Sequence, residues 1–168
     1  MCDAYLISEA SEYNILSVGT NKDWSFETSI HEPNPRCKIH TFDHTSGPTG
    51  KPEYVNFYAT GLGSANIGNV QTMDGILKIA GLQHKTVDIM KIDCEGCEFD
   101  VYSQFTKGFI QQVLVEIHMH EQIQAVQANN MFEHIQRNGH VIFHKESNTL
   151  GCNGDCIEYG FLKLNLPV

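Results

Sequence analysis

Residues 87–99, V-D-I-M-K-I-D-C-E-G-C-E-F, constrain the fold more than any other part of the chain. An apolar run ends abruptly in three acids, Asp93, Glu95 and Glu98, with Gly96 among them. A buried parallel strand has this character where it surfaces at its carboxyl end and turns into a helix. Open α/β sheets bind their ligands at those carboxyl ends. Acids placed there are costly unless a ligand, a metal or a hydrogen-bond network uses them. The chemistry of the chain is therefore expected near Asp93 and Glu95.

Punctuation and periodicity divide the rest into alternating units. Strands are expected at 13–18, 37–42 and 54–60, with a short helix over 23–30 between the first two. Thr20 and Asp23 have capping-box spacing ahead of that helix. Residues 44–53, rich in Gly, Pro, Ser and Thr, read as a loop. At 72–81, Met73, Ile76, Leu77 and Ala80 fall at helical spacing between an N-cap, Thr72, and a stop, Gly81. A fourth strand covers 87–93, after which Glu98, Val101, Tyr102 and Phe105 share one helical face. A fifth covers 113–118. Ala128, Met131, Phe132 and Ile135 mark a further helix, ended by Asn138 and Gly139. Strands at 141–145 and 157–164 close the chain, joined by the long loop 148–155. The alternation predicts an α/β fold: a doubly wound, mostly parallel seven-stranded sheet with a C-terminal antiparallel hairpin. Residues 1–168 read as a single domain, an extension at 1–12 and a core at 13–164.

Lys plus Arg is 11 against 20 for Asp plus Glu, a formal net charge of −9. Nucleic-acid affinity rests on neutralising phosphates, so no nucleic acid is expected as a partner. No apolar stretch approaches the roughly 20 residues that span a bilayer. The N-terminal M-C-D-A-Y-L-I-S-E-A has neither the basic flank nor the long apolar core of a signal peptide. A cytoplasmic setting is expected, or else a leader has been removed. The six cysteines, at 2, 37, 94, 97, 152 and 156, are expected as free thiols in a domain with a core of this size. A structural zinc held by 94, 97, 152 and 156, and a local bridge between 152 and 156, are the alternatives.

Several residues stand where chemistry needs them. Gly19, just past the first strand, lets backbone approach a ligand. The full G-x-G-x-x-G is missing, since Asn21 and Trp24 interrupt it, and this counts against a dinucleotide cofactor. Asp43 ends the second strand at an interval from Gly19 that suits ribose hydroxyls. It equally suits a loop aspartate capping Thr45 or Ser46. The helix dipole explains Glu95 and Glu98 but not Asp93, which should still end a buried strand. Glu116 and His118 fall on one face at the end of the fifth strand. His118 there is either a general base, a metal ligand or a satisfied structural histidine. His120 and Glu121 belong to the next turn.

Five stretches then point the same way. K-I-D-C-E-G-C-E-F at 91–99 resembles the K-I-D-x-E-G-x-E signature of FkbM-type methyltransferases. S-V-G-T-N-K-D-W-S-F-E at 17–27 is similar to the S-x-G-x-x-x-D-W-S-F-E opening of a eukaryotic branch, the methyltransferase-like domain proteins. H-T-F-D at 40–43, F-Y-A-T-G-L-G at 57–63 and V-E-I-H at 115–118 have counterparts there, in order from about 13 to 164. The resemblance implies a class I, Rossmann-like, S-adenosylmethionine-dependent methyltransferase. It places Gly19 with its neighbours Ser17 and Thr20 on the cofactor, together with Gly61, Leu62 and Asp93. It puts Asp43 on the ribose, and Asp93 and Glu95 in the cleft. Cys94 and Cys97 depart from the family's apolar and small residues. The resemblance further implies O-methylation of a small-molecule or glycan hydroxyl, with Asp93, Glu95 and His118 as catalytic residues, His118 the leading base and no resident metal. A non-catalytic binding module on the same fold is the alternative.

Overall fold

The sheet is built about β1 (Asn14–Val18), in which Ile15, Leu16 and Ser17 are fully buried and Val18 nearly so. A strand covered on both faces shows no alternation and lies in the middle of a parallel sheet. β2 (Lys38–Phe42) and β6 (Val87–Ile92) flank it, both parallel to it, with Val18 opposite Phe42 on one side and Ile92 on the other. β3 (Val55–Tyr58) lies parallel beyond β2, and β7 (Ile110–His118) parallel beyond β6. β9 (Cys156–Lys163) runs antiparallel to β7, and β8 (His140–Asn148) antiparallel to β9. The order is β3-β2-β1-β6-β7-β9-β8, the expected seven-stranded sheet with an antiparallel closing pair. The structure, a computed structural model, describes residues 12–107, 109–119, 125–149, 152 and 156–164.

Four described helices cover the two faces unequally. α2 (Met73–Ala80), α3 (Glu98–Phe105) and α4 (Ala125–Arg137) press Met73, Ile76, Phe105, Val101, Met131 and Ile135 onto one face, against Leu16, Phe42, Met90 and Val113. α1 (Ser25–His31) and Trp24 cover the other face with Ile30, over Ile15, Ile39, Val55 and Ile89. Among the described residues no helix is long and apolar enough to cross a membrane.

Local signals succeed where one side chain decides. Thr72 caps α2 by accepting the Gly75 N–H, and Gly81 ends it in the left-handed region at φ 70°. The capping box ahead of α1 does not form. Thr20 Oγ1 donates to the Asp23 carbonyl at 2.8 Å, and the Asp23 carboxylate accepts the Ser25 N–H at 2.9 Å. The helix therefore starts at Ser25, behind an uncapped Trp24. β7 starts earlier than its apolar run, because Gln112 is buried opposite Leu162 of β9. β8 runs on through the polar Lys145, Glu146 and Ser147, which pair with β9 along the backbone, the Lys145 ammonium lying over the Tyr159 ring. A two-stranded sheet of β4 (Gly61–Leu62) with β5 (Val70–Gln71) gave no periodic signal at that length.

Gly19 has φ +79°, and a Cβ there would sit 1.7 Å from the Asp93 carbonyl oxygen. Backbone meets backbone, so nothing can step aside. Gly19→Ala is expected to cost about 3 kcal/mol or more, overpacking and the left-handed backbone together. A lower urea midpoint at unchanged slope would register it.

Candidate active site

The parallel ladder runs one residue past the strands. Gly19 N–H donates to the Phe42 carbonyl at 2.9 Å, Asp93 N–H to Val18 at 2.9 Å, and Asp43 N–H to Tyr58 at 3.1 Å. Gly19, Asp43 and Asp93 therefore stand side by side at the carboxyl edge. The turn after β1 stays in the left-handed region, with Asn21 at φ 45° and Lys22 at 66°.

Asp43 is almost fully buried and its two oxygens accept six hydrogen bonds. Oδ2 takes the N–H groups of Thr20 (3.1 Å) and Asn21 (2.9 Å) and the Ser46 hydroxyl (2.7 Å). Oδ1 takes the N–H and hydroxyl of Thr45 and the N–H of Ser46, each at 2.8 Å. Burial alone would push its carboxyl upward; the bonds from Ser46, Asn21 and Thr45 outweigh this and hold it well below the usual range. The loop-capping reading of Asp43 is the one the contacts display. It ties the Gly19 turn to the loop after β2 and leaves no oxygen free in this conformation.

The other sequence candidates fall in different settings. Thr20 borders the turn, its N–H on Asp43. Ser17 is fully buried inside the sheet, its hydroxyl without a hydrogen-bond partner among the described residues. The side chain of Leu62 packs in the core with Val18 and Phe42. Gly61 lies against the His44 ring, where a Cβ would come within 2.4 Å of Nδ1. Ser17 and Leu62 thus present no exposed side chain to a ligand. His120 and Glu121 lie outside the described residues.

Beside Asp93 the chain assembles a carboxylate cluster around one imidazole. Glu98 opens α3 and is fully buried, and its Oε1 lies 3.0 Å from His118 Nδ1. On the other side of the ring, His118 Nε2 is 3.3 Å from Glu95 Oε2 and 3.8 Å from Asp93 Oδ1. Glu95 adopts the left-handed region at φ 56°, and its side chain is 83% exposed. The bond from Glu98 raises the His118 pKa most, burial opposes it, and Glu98, Glu95 and Asp93 add to the rise, to about 9. The ring is therefore a cation at neutral pH, with both nitrogens turned on carboxylates. This corrects its expected standing as the leading base.

Sequence reasoning passed over Lys91. Its ammonium reaches up the strand to donate to the Gly19 carbonyl and lies 3.4 Å from Asp93 Oδ2. The available signal was a lysine inside an apolar strand, two positions before Asp93 and so on its face. Glu116 accepts the Asn148 amide at 3.0 Å. Burial, then the charge of Asp93, raise its pKa. Cys94 is bonded to Cys97 and Cys152 to Cys156, which corrects the free-thiol expectation and leaves no thiolate among these four for zinc. Cys37 is free and buried, and burial pushes its thiol up to about 11.

A cavity of about 570 Å³ opens on the α1 face of the sheet, with Lys91 and Glu116 in its wall beside Phe26, Phe143, Glu158 and Tyr159. None of the expected cofactor residues lines it; Lys91 and Glu116 connect it to the Asp93 cluster.

This strand order, with a glycine turn after its first strand and acids ending the second and the fourth parallel strand, defines a class I S-adenosylmethionine-dependent methyltransferase. The chain belongs to the family described as methyltransferase domain, which matches residues 1–163, and its cofactor is S-adenosylmethionine. No curated protein matches the sequence. Among similar solved structures is a fibrillarin pre-rRNA processing protein of Methanococcus jannaschii, with TM-score 0.60 and 9% identity. That match covers 90% of this chain and 66% of the other, so the chain spans about two thirds of that protein's length. A ribosomal RNA methyltransferase of Plasmodium falciparum has TM-score 0.56 and 19% identity, over 95% of this chain and 89% of the other. An Aeropyrum pernix fibrillarin with natively bound S-adenosyl-L-methionine has TM-score 0.58 and 11% identity, over 95% and 73%. At these identities the likeness is one of fold. It still corrects the expectation that nucleic acid is excluded as a partner. Proteins of this fold named for RNA occur among the neighbours, so the acid excess of the whole chain does not exclude RNA.

Asp43 carries a testable consequence. Its folded-state pKa is depressed, so its contribution is present above the unfolded value of about 3.9 and fades as pH falls toward the folded one. Asp43→Asn is expected to lower stability at pH 7 by roughly 2–3 kcal/mol, the cost of buried donors left poorly paired. The difference between the two proteins should shrink in urea titrations taken below about pH 4.

Proposed function

We propose that the chain transfers a methyl group from S-adenosylmethionine to a sugar-type hydroxyl, with Asp93 as the residue that receives the acceptor's proton. The observation that carries this reading is the placing of the Asp93 carboxylate one residue beyond β6, against the Gly19 turn, with Lys91 on one side and the His118 cation on the other. The residues suit the donor: a sulfonium and an α-ammonium are cations, and Asp93 and Glu95 are carboxylates at the strand edge. Asp43 acts on the cofactor by shaping Thr20 and Asn21, since both its oxygens are engaged within the protein.

The bound donor supplies an electrophilic methyl on sulfur. The protein's part is alignment, because an in-line displacement gains most from holding the acceptor oxygen in position. As the oxygen–carbon bond forms, the hydroxyl proton passes to the Asp93 carboxylate. His118 and Lys91 orient that carboxylate and balance its charge. The cavity beside Lys91 supports a polyhydroxyl acceptor: aromatic residues Phe26, Phe143 and Tyr159 and the acids Glu116 and Glu158 line it. The ribose of an RNA belongs to the same chemical class, and the RNA-named neighbours keep it there. The K-I-D-C-E-G-C-E motif supports placing the chain with the FkbM-type enzymes.

The test is methyl transfer from labelled donor to a panel of monosaccharides, oligosaccharides and RNA oligonucleotides. Asp93→Asn should lower turnover by roughly 10²–10⁴-fold, the usual worth of a proton acceptor, with calorimetric affinity for S-adenosylhomocysteine kept within a few-fold. Full activity in Asp93→Asn removes it from the mechanism. Donor binding with no turnover across the panel would leave a non-catalytic binding module.

A further inference from the structure

We propose that Asp93, Glu95 and His118 form a divalent-cation site, with the cation held between the two carboxylates and Nε2 of the ring. One oxygen of each carboxylate and a ring nitrogen of His118 all lie within 4.8 Å of one another. The separations from Nε2, 3.3 and 3.8 Å, are close to the spacing of about 3 Å between adjacent ligands of an octahedral ion with ~2.1 Å bonds.

Glu98 is the second, independent observation. It is fully buried, its Oε1 faces the other ring nitrogen, and its Oε2 has no hydrogen-bond partner among the described residues. A buried carboxylate on the far nitrogen is the usual support of a metal-bound histidine, because it fixes the ring; an ion at Nε2 displaces the proton that nitrogen carries at neutral pH. Burying a carboxylate is costly, and here the ring and the Cys94 N–H at 3.3 Å engage only one of its two oxygens. Three carboxylates against Lys91 and one imidazole still leave net negative charge that a dication neutralises.

The donor set, two carboxylates and one imidazole with the remaining positions open, suits a hard to borderline ion of the Mn²⁺ or Mg²⁺ type better than a thiophilic one. Open positions would take water or an oxygen of a hydroxyl ligand. The site shares Asp93 and His118 with the methyl-transfer reading, but its test needs no donor.

Mn²⁺ is titrated into the full chain at neutral pH, with free ion read by electron paramagnetic resonance. Saturable binding of one ion is expected, with a dissociation constant below about 1 mM, within the span of oxygen-rich protein sites. Glu95→Gln changes only an exposed side chain, so the fold survives, and it should weaken binding at least tenfold. Glu98→Gln should weaken it roughly 10–100-fold, as loss of a supporting carboxylate does. Bound Mn²⁺ should also broaden the His118 ring signals in proton NMR. Absence of saturable binding overturns the proposal, and so does a constant unchanged in Glu95→Gln.

Discussion

The contact of the Gly19 turn with the Asp93 carbonyl is the constraint on which the site depends. It occurs because β1 and β6 are adjacent, parallel and in register up to their last residues. Any side chain at position 19 would drive the two strand ends apart. With none, the turn after β1 lies flat on the end of β6, and Lys91 can reach across to bond the Gly19 carbonyl. Asp43 then secures the turn from the other side through Thr20 and Asn21. Two neighbouring strands thus clamp a left-handed loop that glycine alone could not hold.

Charge organises the site next. Asp93, Glu95 and Glu98 gather where a peptide chain would normally avoid like charges, and the cluster holds because cations face it: Lys91 on one flank and the His118 ring on the other. Glu98 is the member with no solvent to relieve it. Its position as the first residue of α3 lets the helix dipole assist, but a dipole contributes only ~0.3–1 kcal/mol. The hydrogen bond to a charged imidazole stabilises it more, by about 1.5–3 kcal/mol. His118 is therefore held by its partners in a fixed orientation, which is what a residue that positions others requires.

The fold was legible because its strands are long apolar runs closed by Gly, Asp or Asn, and because parallel order follows from alternation. Gly19, Asp43 and Asp93 were legible as positions for the same reason, each standing at the end of such a run. Their partners were not. The six donors to Asp43 come from Thr20, Asn21, Thr45 and Ser46, on two loops whose approach depends on strand adjacency. Spacing could offer both the ribose and the capping reading, and the capping bonds themselves depend on the assembled loops. His118 looked like a base because the acids that engage its ring nitrogens, Glu98 and Glu95, reach it from the α3 side and not from its own strand. Lys91 was hidden by the apolar run that contains it.

The two disulfides run against the cytoplasmic expectation, since such bonds persist where thiols are oxidised. The Cys94–Cys97 bond closes a very short loop, and on the chain-entropy account it contributes roughly 2 kcal/mol, less than the ~3 of a fifteen-residue loop. Its larger consequence is local. Glu95 lies inside that loop in the left-handed region, a conformation that costs a non-glycine residue about 1–2 kcal/mol. The two quantities are of one size, so the bond can offset the strain that turns the exposed Glu95 carboxylate onto His118. Cysteines at 94 and 97, which depart from the family's apolar and small residues, then have a physical role: they fix the acid beside the ring by covalent closure where a longer loop would need packing.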